Sequence, residues 1–161
     1  MAVSKITEVS QYLTFKLREE LFAVDIVKVR EVLEFNQVTK VPRTPEFMRG
    51  IINLRGDVVP VMDLRLKFGM LKTEKAVNTC IIMVEITSEE NSIILGLLAD
   101  SVQEVLEIEP SKIDAAPNIG MHLNSEYIQG MGKHGNVFII ILDINKIFTA
   151  EELASVKGSV D

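Results

Sequence analysis

The sequence predicts a mainly β protein built as two small barrels related by an internal duplication, and three observations carry that prediction. The string VREVLE at Val29–Glu34 returns as VQEVLE at Val102–Glu107, five identities in six. Each copy follows two apolar runs that read as hairpin strands. Each also precedes a glycine-bearing bend and a further apolar strand. Short strands separated by turn signals at intervals of about ten residues suit paired barrels. Closure removes most of the sheet edges that would otherwise recruit other chains.

In the first half, Tyr12–Leu17 (YLTFKL) and Leu21–Val24 (LFAV) flank the acidic turn Arg18–Glu20; in the second, Ile81–Ile86 (IIMVEI) and Ile93–Leu98 (IILGLL) flank Thr87–Ser92. Downstream the halves match again. Phe47–Gly50 (FMRG) resembles Tyr127–Gly130 (YIQG), and Asp63–Phe68 (DLRLKF) resembles Asp143–Phe148 (DINKIF), with the apolar strands Val58–Met62 and Val137–Leu142 just before the second match. Pro60 has no N–H to donate to a ladder, so its strand must hold it at an edge, a bulge or a junction. Helical signals are short. Thr44 reads as the cap of a turn of helix over Pro45–Arg49, and Thr149–Val156 (TAEELASV) fits a capping box that closes the chain with a C-terminal helix. The polar stretch Lys72–Asn78 marks a boundary between halves near residues 72–79.

Composition narrows the function. A chain of 161 residues with 47% hydrophobic content buries roughly 70% of its unfolded surface, enough for one sizeable core or two that share an interface. A net charge of −6 with no basic run argues against nucleic acid. No stretch reaches the roughly 18 to 20 apolar residues of a membrane span, and the start, MAVSKITEVSQ, lacks a signal-peptide layout, so a cytoplasmic protein is expected. The single cysteine, Cys80, rules out an internal disulfide or thiolate cluster; at the head of an apolar run it reads as a small core residue.

The residues that catalysis needs are scarce: two histidines, one cysteine and no phosphate loop of the Walker or Rossmann kind. His122 and His134 lie in turn-like segments without partners at metal-ligand spacing. Gly130–Gly135 (GMGKHG) resembles a phosphate nest, but no helix follows it, so it reads as a hairpin turn. Asp63 and Asp143, at the ends of matched strands, read as helix caps rather than a catalytic pair. Catalytic, cofactor-binding and metal-binding residues are therefore expected to be absent. Glu31 and Glu34 with Arg30, and Glu104 with Glu107, fit a solvated face. Arg55 is different: in NLRG (Asn53–Gly56) a long cation sits beside glycine at a bend, where its fork reaches a carboxylate.

The strings Val24–Val32 (VDIVKVREV) and Val41–Arg65 (VPRTPEFMRGIINLRGDVVPVMDLR) resemble the CheW-like domain family of bacterial chemotaxis coupling proteins. Gly96–Val105 (GLLADSVQEV), Tyr127–Gly130 and Ile139–Asp143 (IIILD) extend the likeness to about residues 11–155. The resemblance implies a single domain over 11–155 made of two intertwined five-stranded SH3-like barrels, approximately 11–75 and 79–155, and leaves open an exchange of strands between them. It implies a non-catalytic adaptor, without cofactor, linking transmembrane chemoreceptors (methyl-accepting chemotaxis proteins) to the regulatory domain of the histidine kinase CheA. The expected location is cytoplasmic, at polar or membrane-associated receptor arrays reached through its partners, with no membrane insertion of its own.

In such proteins the receptor's cytoplasmic hairpin tip docks in an apolar groove between the barrels. The matching positions are Ile26, Val29, Glu31, Gly50, Asn53 and Arg55, with Val102 and Val105 opposite. From sequence, Ile26 and the valines fit barrel core as well as groove wall. The family's kinase interface uses apolar barrel surface and receives no residue assignment. A coupling protein of a non-flagellar array fits the same residues, whereas a coupling protein carrying a receiver domain would require a βαβ pattern that is not seen.

Overall fold

The computed structural model describes residues 9–87, 92–115 and 125–160. Strands β1 (Ser10–Leu17) and β2 (Glu20–Asp25) form the first expected hairpin, and β3 (Val29–Glu34) is the first copy of the repeated hexapeptide. A second hairpin, β4 (Met48–Leu54) and β5 (Asp57–Asp63), leads into the single-turn helix α1 (Leu64–Lys67). The order recurs as β6 (Cys80–Thr87), β7 (Ser92–Ala99) and β8 (Ser101–Ile108), then the short β9 (Ile113–Asp114), β10 (Ile128–His134), β11 (Val137–Leu142), α2 (Ile144–Ile147) and the terminal α3 (Ala150–Val160). Four residues of the second expected turn, 88–91, lie outside the described residues, as does His122.

These strands form two sheets, ordered β8-β1-β2-β11-β10-β9 and β3-β6-β7-β5-β4. Each sheet takes the leading hairpin of one half and the trailing strands of the other. Thus β8 pairs with β1 and β3 pairs with β6, so both copies of the repeat lie at sheet edges against the opposite half. Parallel pairings of β5 with β7 and β11 with β2 complete the same exchange. The mainly β, duplicated architecture matches the sequence reading, with two differences. One sheet has six strands because β9 adds to the free edge of β10. Among the described residues neither ladder closes by hydrogen bonds. Instead the edge strands share apolar clusters: Leu33 of β3 and Ile52 and Leu54 of β4 all pack against Phe35, Val59, Val61, Ile81, Met83 and Leu98. In the other sheet Leu106 and Ile108 of β8 join Ile113 of β9 around Tyr12, Ala23, Ile139 and Ile141.

The largest cluster lies between the sheets. Leu13, Phe15, Phe22 and Val24 from one face it together with Met62, Ile82, Val84, Leu95 and Leu97 from the other. Alternation explains the division: in β6, Ile81 and Met83 enter the small cluster while Ile82 and Val84 face the central one. Burial of both faces accounts for the unbroken apolar run of β6. Cys80 belongs to the central cluster, and burial pushes its thiol pKa up, the reverse of what a nucleophile requires.

Pro60 sits in β5 opposite Ile51 of β4, just before the parallel pairing with β7 begins at Val61, so no second ladder loses a donor there. The aspartate caps form as expected, with Asp63 Oδ1 accepting from the Arg65 N–H at 3.1 Å and Asp143 Oδ1 from the Asn145 N–H at 3.2 Å. The capping box of α3 is also present: the Glu152 N–H donates to Thr149 Oγ1 at 3.0 Å and the Thr149 N–H to Glu152 Oε1 at 2.8 Å. The expected turn of helix over Pro45–Arg49 is cut to a single hydrogen-bonded turn, the Met48 N–H donating to the Pro45 carbonyl at 3.0 Å, before β4 begins. The Thr44 hydroxyl donates back to the Val41 carbonyl at 2.9 Å, and the Asp63 N–H takes the Phe47 carbonyl at 2.6 Å. Sheet pairing, with Met48 buried at the start of β4, overrides the local helix signal.

Candidate partner-binding site

The β4–β5 loop is a two-residue hairpin turn: Leu54 and Asp57 are paired and only Arg55 and Gly56 lie between them. Both adopt the left-handed region, with φ of 51° and 91°, as a two-residue hairpin of the primed type demands. Gly56 does this without strain; Arg55 does not. The Gly56 N–H donates to Asn53 Oδ1 at 2.9 Å, so Asn53 is committed to holding the turn. Arg55 is thereby held over the sheet and pairs with the Glu31 carboxylate; the arginine side chain is 71% exposed and the glutamate side chain 30%. The Glu31 hydrogen bond and charge raise the arginine's pKa still further.

A break in register places a second charge beside this pair. The β3–β6 pairing shifts between Val29 and Glu31, so Arg30 is the extra residue of a bulge. Bulges re-aim side chains. Arg30 and Glu31, neighbours in sequence, consequently line the same groove, and Arg30 pairs with Glu85 of β6. The Glu85 carboxyl is held below its usual pKa first by a hydrogen bond from the Ser92 hydroxyl and then by Arg30. Between the charges the groove floor is apolar, contributed by Leu54, Val58, Pro60, Ile93 and Ile94. Two opposite-charge pairs around an apolar floor can orient a protein partner, the rim contributing specificity more than affinity.

The remaining predicted residues occupy other environments. Ile26, in the short 3₁₀ turn Ile26–Lys28, and Val29 are half-buried against the central cluster, as is Val102 at the start of β8. Val105 lies across from Leu13 but is 47% exposed, because β8 is an edge strand. Gly50 adopts φ +148°, and a Cβ there would stand 2.1 Å from the Thr39 carbonyl oxygen, which explains the glycine by backbone approach alone. The structure therefore brings Glu31 and Arg55 together at the groove rim, places Asn53 in the turn that holds Arg55, and leaves Ile26, Val29 and Val102 half-buried against the central cluster.

Sequence reading passed over Arg30 as a site residue and missed Glu85 and the part that the β6–β7 hairpin, itself expected, plays in lining the groove. The signal was the adjacency of Arg30 and Glu31 in a strand, where strict alternation would have separated them. A buried polar centre was also missed. Asp63, fully buried, accepts from the Thr73 N–H at 2.9 Å, the Thr73 hydroxyl at 2.7 Å and an Arg49 N–H at 3.2 Å, tying the segment after α1 to the sheet. His134 ends β10 and is exposed; Gly130–His134, read in the sequence as part of a hairpin turn, belong to the strand, and the turn itself is confined to Gly135 and Asn136. Among the described residues no group of three or more His, Cys, Asp or Glu could hold a metal ion, and no helix is long and apolar enough to cross a membrane.

Comparison with known proteins is consistent over nearly the whole chain. The chain is 36% identical over 146 residues to the chemotaxis protein CheW of Klebsiella aerogenes, covering 91% of this chain and 86% of that one. It is 31% identical over 144 residues to the chemotaxis protein CheW of Treponema pallidum, covering 89% and 84%. The crystal structure of the scaffolding protein TtCheW from Thermoanaerobacter tengcongensis superposes with a TM-score of 0.79 at 36% identity, covering 90% of this chain and 91% of that one. Residues 11–152 match the family described as the CheW-like domain, and with these relatives the match shows that the chain belongs to that family.

Proposed function

We propose that this chain is a non-catalytic chemotaxis adaptor that couples transmembrane chemoreceptors to the histidine kinase CheA in cytoplasmic signalling arrays, so that receptor state controls kinase activity. It acts as one unit over residues 11–155, its subdomains of about 11–75 and 79–155 sharing strands. Family membership and the relatives' chemotaxis and scaffolding roles support this reading. The observation that carries it is Arg55. A strained left-handed backbone holds a largely exposed guanidinium beside Glu31 at the rim of an apolar groove, a feature that adds little to folding and is suited to recognition.

The receptor-facing set is Ile26, Val29, Glu31, Gly50, Asn53, Arg55, Val102 and Val105. Each apolar anchor fully buried by a helical hairpin would contribute about 1.5 to 3 kcal/mol before ordering costs. The kinase regulatory domain binds elsewhere on the barrel surface.

The test is calorimetric titration of the protein with the isolated CheA regulatory domain of the same organism, beside Arg55→Ala checked for folding. Saturable one-to-one binding retained in Arg55→Ala, with receptor coupling lost in that variant, is expected. Absence of kinase binding at accessible concentrations would remove the adaptor reading.

A further inference from the structure

Where the two halves meet, their aromatic residues cross-stack: Phe47 of the first half on Phe148 of the second, with ring centroids 5.5 Å apart, and Phe68 on Tyr127 at 5.8 Å. The duplication relates Phe47 to Tyr127 and Phe68 to Phe148, so this is a pseudo-symmetric junction. One residue breaks the symmetry. Ile147, fully buried, has Lys67 as its counterpart in the first half.

The Lys67 ammonium stands 4.9 Å from the Phe47 ring centre, 5.6 Å from that of Tyr127 and 5.8 Å from that of Phe148. Its side chain is only 9% exposed. Among the described residues its hydrogen bonds go to both carboxylate oxygens of Glu152, at 2.8 and 2.6 Å, and Glu152 belongs to α3.

Apolar burial of the terminal helix is sparse: among its described side chains only Val156 is fully buried, with Leu153 half-buried beside it. Eleven residues are too few for a stable isolated helix, so its helicity depends on docking. An element with few buried apolar contacts opens at lower free energy than the sheets that hold the core.

We propose that α3 is a latch that opens separately from the rest of the fold, and that the Lys67–Glu152 pair is its catch. Because the rings around Lys67 come from both halves, releasing Glu152 leaves a nearly buried ammonium without its carboxylate at the junction between them. The state of the latch is thereby coupled to the packing of one half on the other. This inference stands independently of the partners proposed above.

Amide hydrogen exchange on the full chain, read by peptide mass spectrometry, tests it. In the wild type, peptides within 150–160 should exchange at least about tenfold faster than those from β6 and β7 through local opening. Glu152→Gln keeps the cap, since glutamine also serves at that position, but removes the charge. It should speed exchange several-fold in α3, and also at 47–49 and 127–129 around the uncovered ammonium, while leaving β6 and β7 unchanged. Adding Lys67→Met to Glu152→Gln, which replaces the unpaired ammonium with an apolar group of similar length, should restore slow exchange at 47–49 and 127–129. Equal exchange rates for α3 and β6 in the wild type would overturn the latch. An unchanged α3 in Glu152→Gln would overturn the catch.

Discussion

Two grooves on this molecule occupy equivalent positions in the duplicated fold and have diverged in chemistry. The first is rimmed by Arg30, Glu31 and Arg55; the second, beside β8 and the β10–β11 turn, is lined by Gln103, Glu104, Leu106, Val137 and Phe138. Glu31 and Glu104 correspond in the repeat, but the turn residue facing Glu31 is Arg55 and its counterpart is Gly135. The first rim is consequently bridged by ion pairs. The second leaves Phe138 56% exposed. Gly135, with φ 64° and no atom within 4 Å of a built Cβ, meets the turn's backbone requirement without strain, whereas Arg55 meets it at a cost. Duplication preserved the two-residue turn while the chemistry of the rim beside it diverged.

The largest expected effect separates the halves through their glycines. Gly50→Ala would set a methyl group against the Thr39 carbonyl, a backbone atom fixed by reciprocal hydrogen bonds of 2.9 and 2.8 Å with Ile51, while also straining φ. Gly132→Ala would meet the Ile108 Cδ1 methyl at 3.2 Å, the movable end of a side chain. Urea unfolding should show a loss of about 3 kcal/mol or more for the first and under about 1 kcal/mol for the second. Similar losses would mean that the β4 strand yields as readily as a side chain, and the contrast would fail.

The repeated hexapeptide, both hairpins, the aspartate caps and the capping box of α3 were legible in the sequence because local periodicity and short-range hydrogen bonding determine them. What was not legible is long-range. The exchange of strands between halves rests on β8 pairing with β1 and β3 with β6, partners about 90 and 50 residues apart that no local pattern specifies. The helix signal at Pro45 was overridden by pairing with Asp63, which only the folded sheet supplies. Of the candidate site, Glu31 and Arg55 were readable as charges at a bend; their neighbours Arg30 and Glu85 depend on a bulge. Ile26, Val29 and Val102 look alike in sequence whether they line a groove or fill a core, since the apolar pattern is common to both.

A smaller effect tests whether the turn residue alone accounts for the divergence. Gly135→Arg places a guanidinium at the position equivalent to Arg55, opposite Glu104. The left-handed backbone should make the substitution cost about 1 kcal/mol in urea unfolding, with binding to a chemoreceptor's cytoplasmic hairpin tip, the partner proposed for the first rim, unchanged. The second groove lacks counterparts to Arg30 and Glu85, since Gln103 holds the first of these places. A gain of affinity in Gly135→Arg would show that one arginine suffices to create a recognition rim.

The smallest expected effect concerns what the exposed apolar rim contributes to folding. In β11, Val137 and Phe138 are exposed before a fully buried run begins at Ile139, just as Asp57 and Val58 precede the buried residues of β5. The common pattern places Phe138 outside the cluster of Tyr12, Ala23, Ile108, Ile139 and Ile141 despite its size. Phe138→Ser and Val58→Ser should therefore each change stability by less than about 0.5 kcal/mol, as surface positions do, measured by urea unfolding at matched protein concentrations. A loss of about 2 kcal/mol in Phe138→Ser alone would mean that the ring folds over the open end of its sheet and completes the core. The second groove would then be a packed end of a barrel, and the comparison would reduce to one recognition rim and one structural cap.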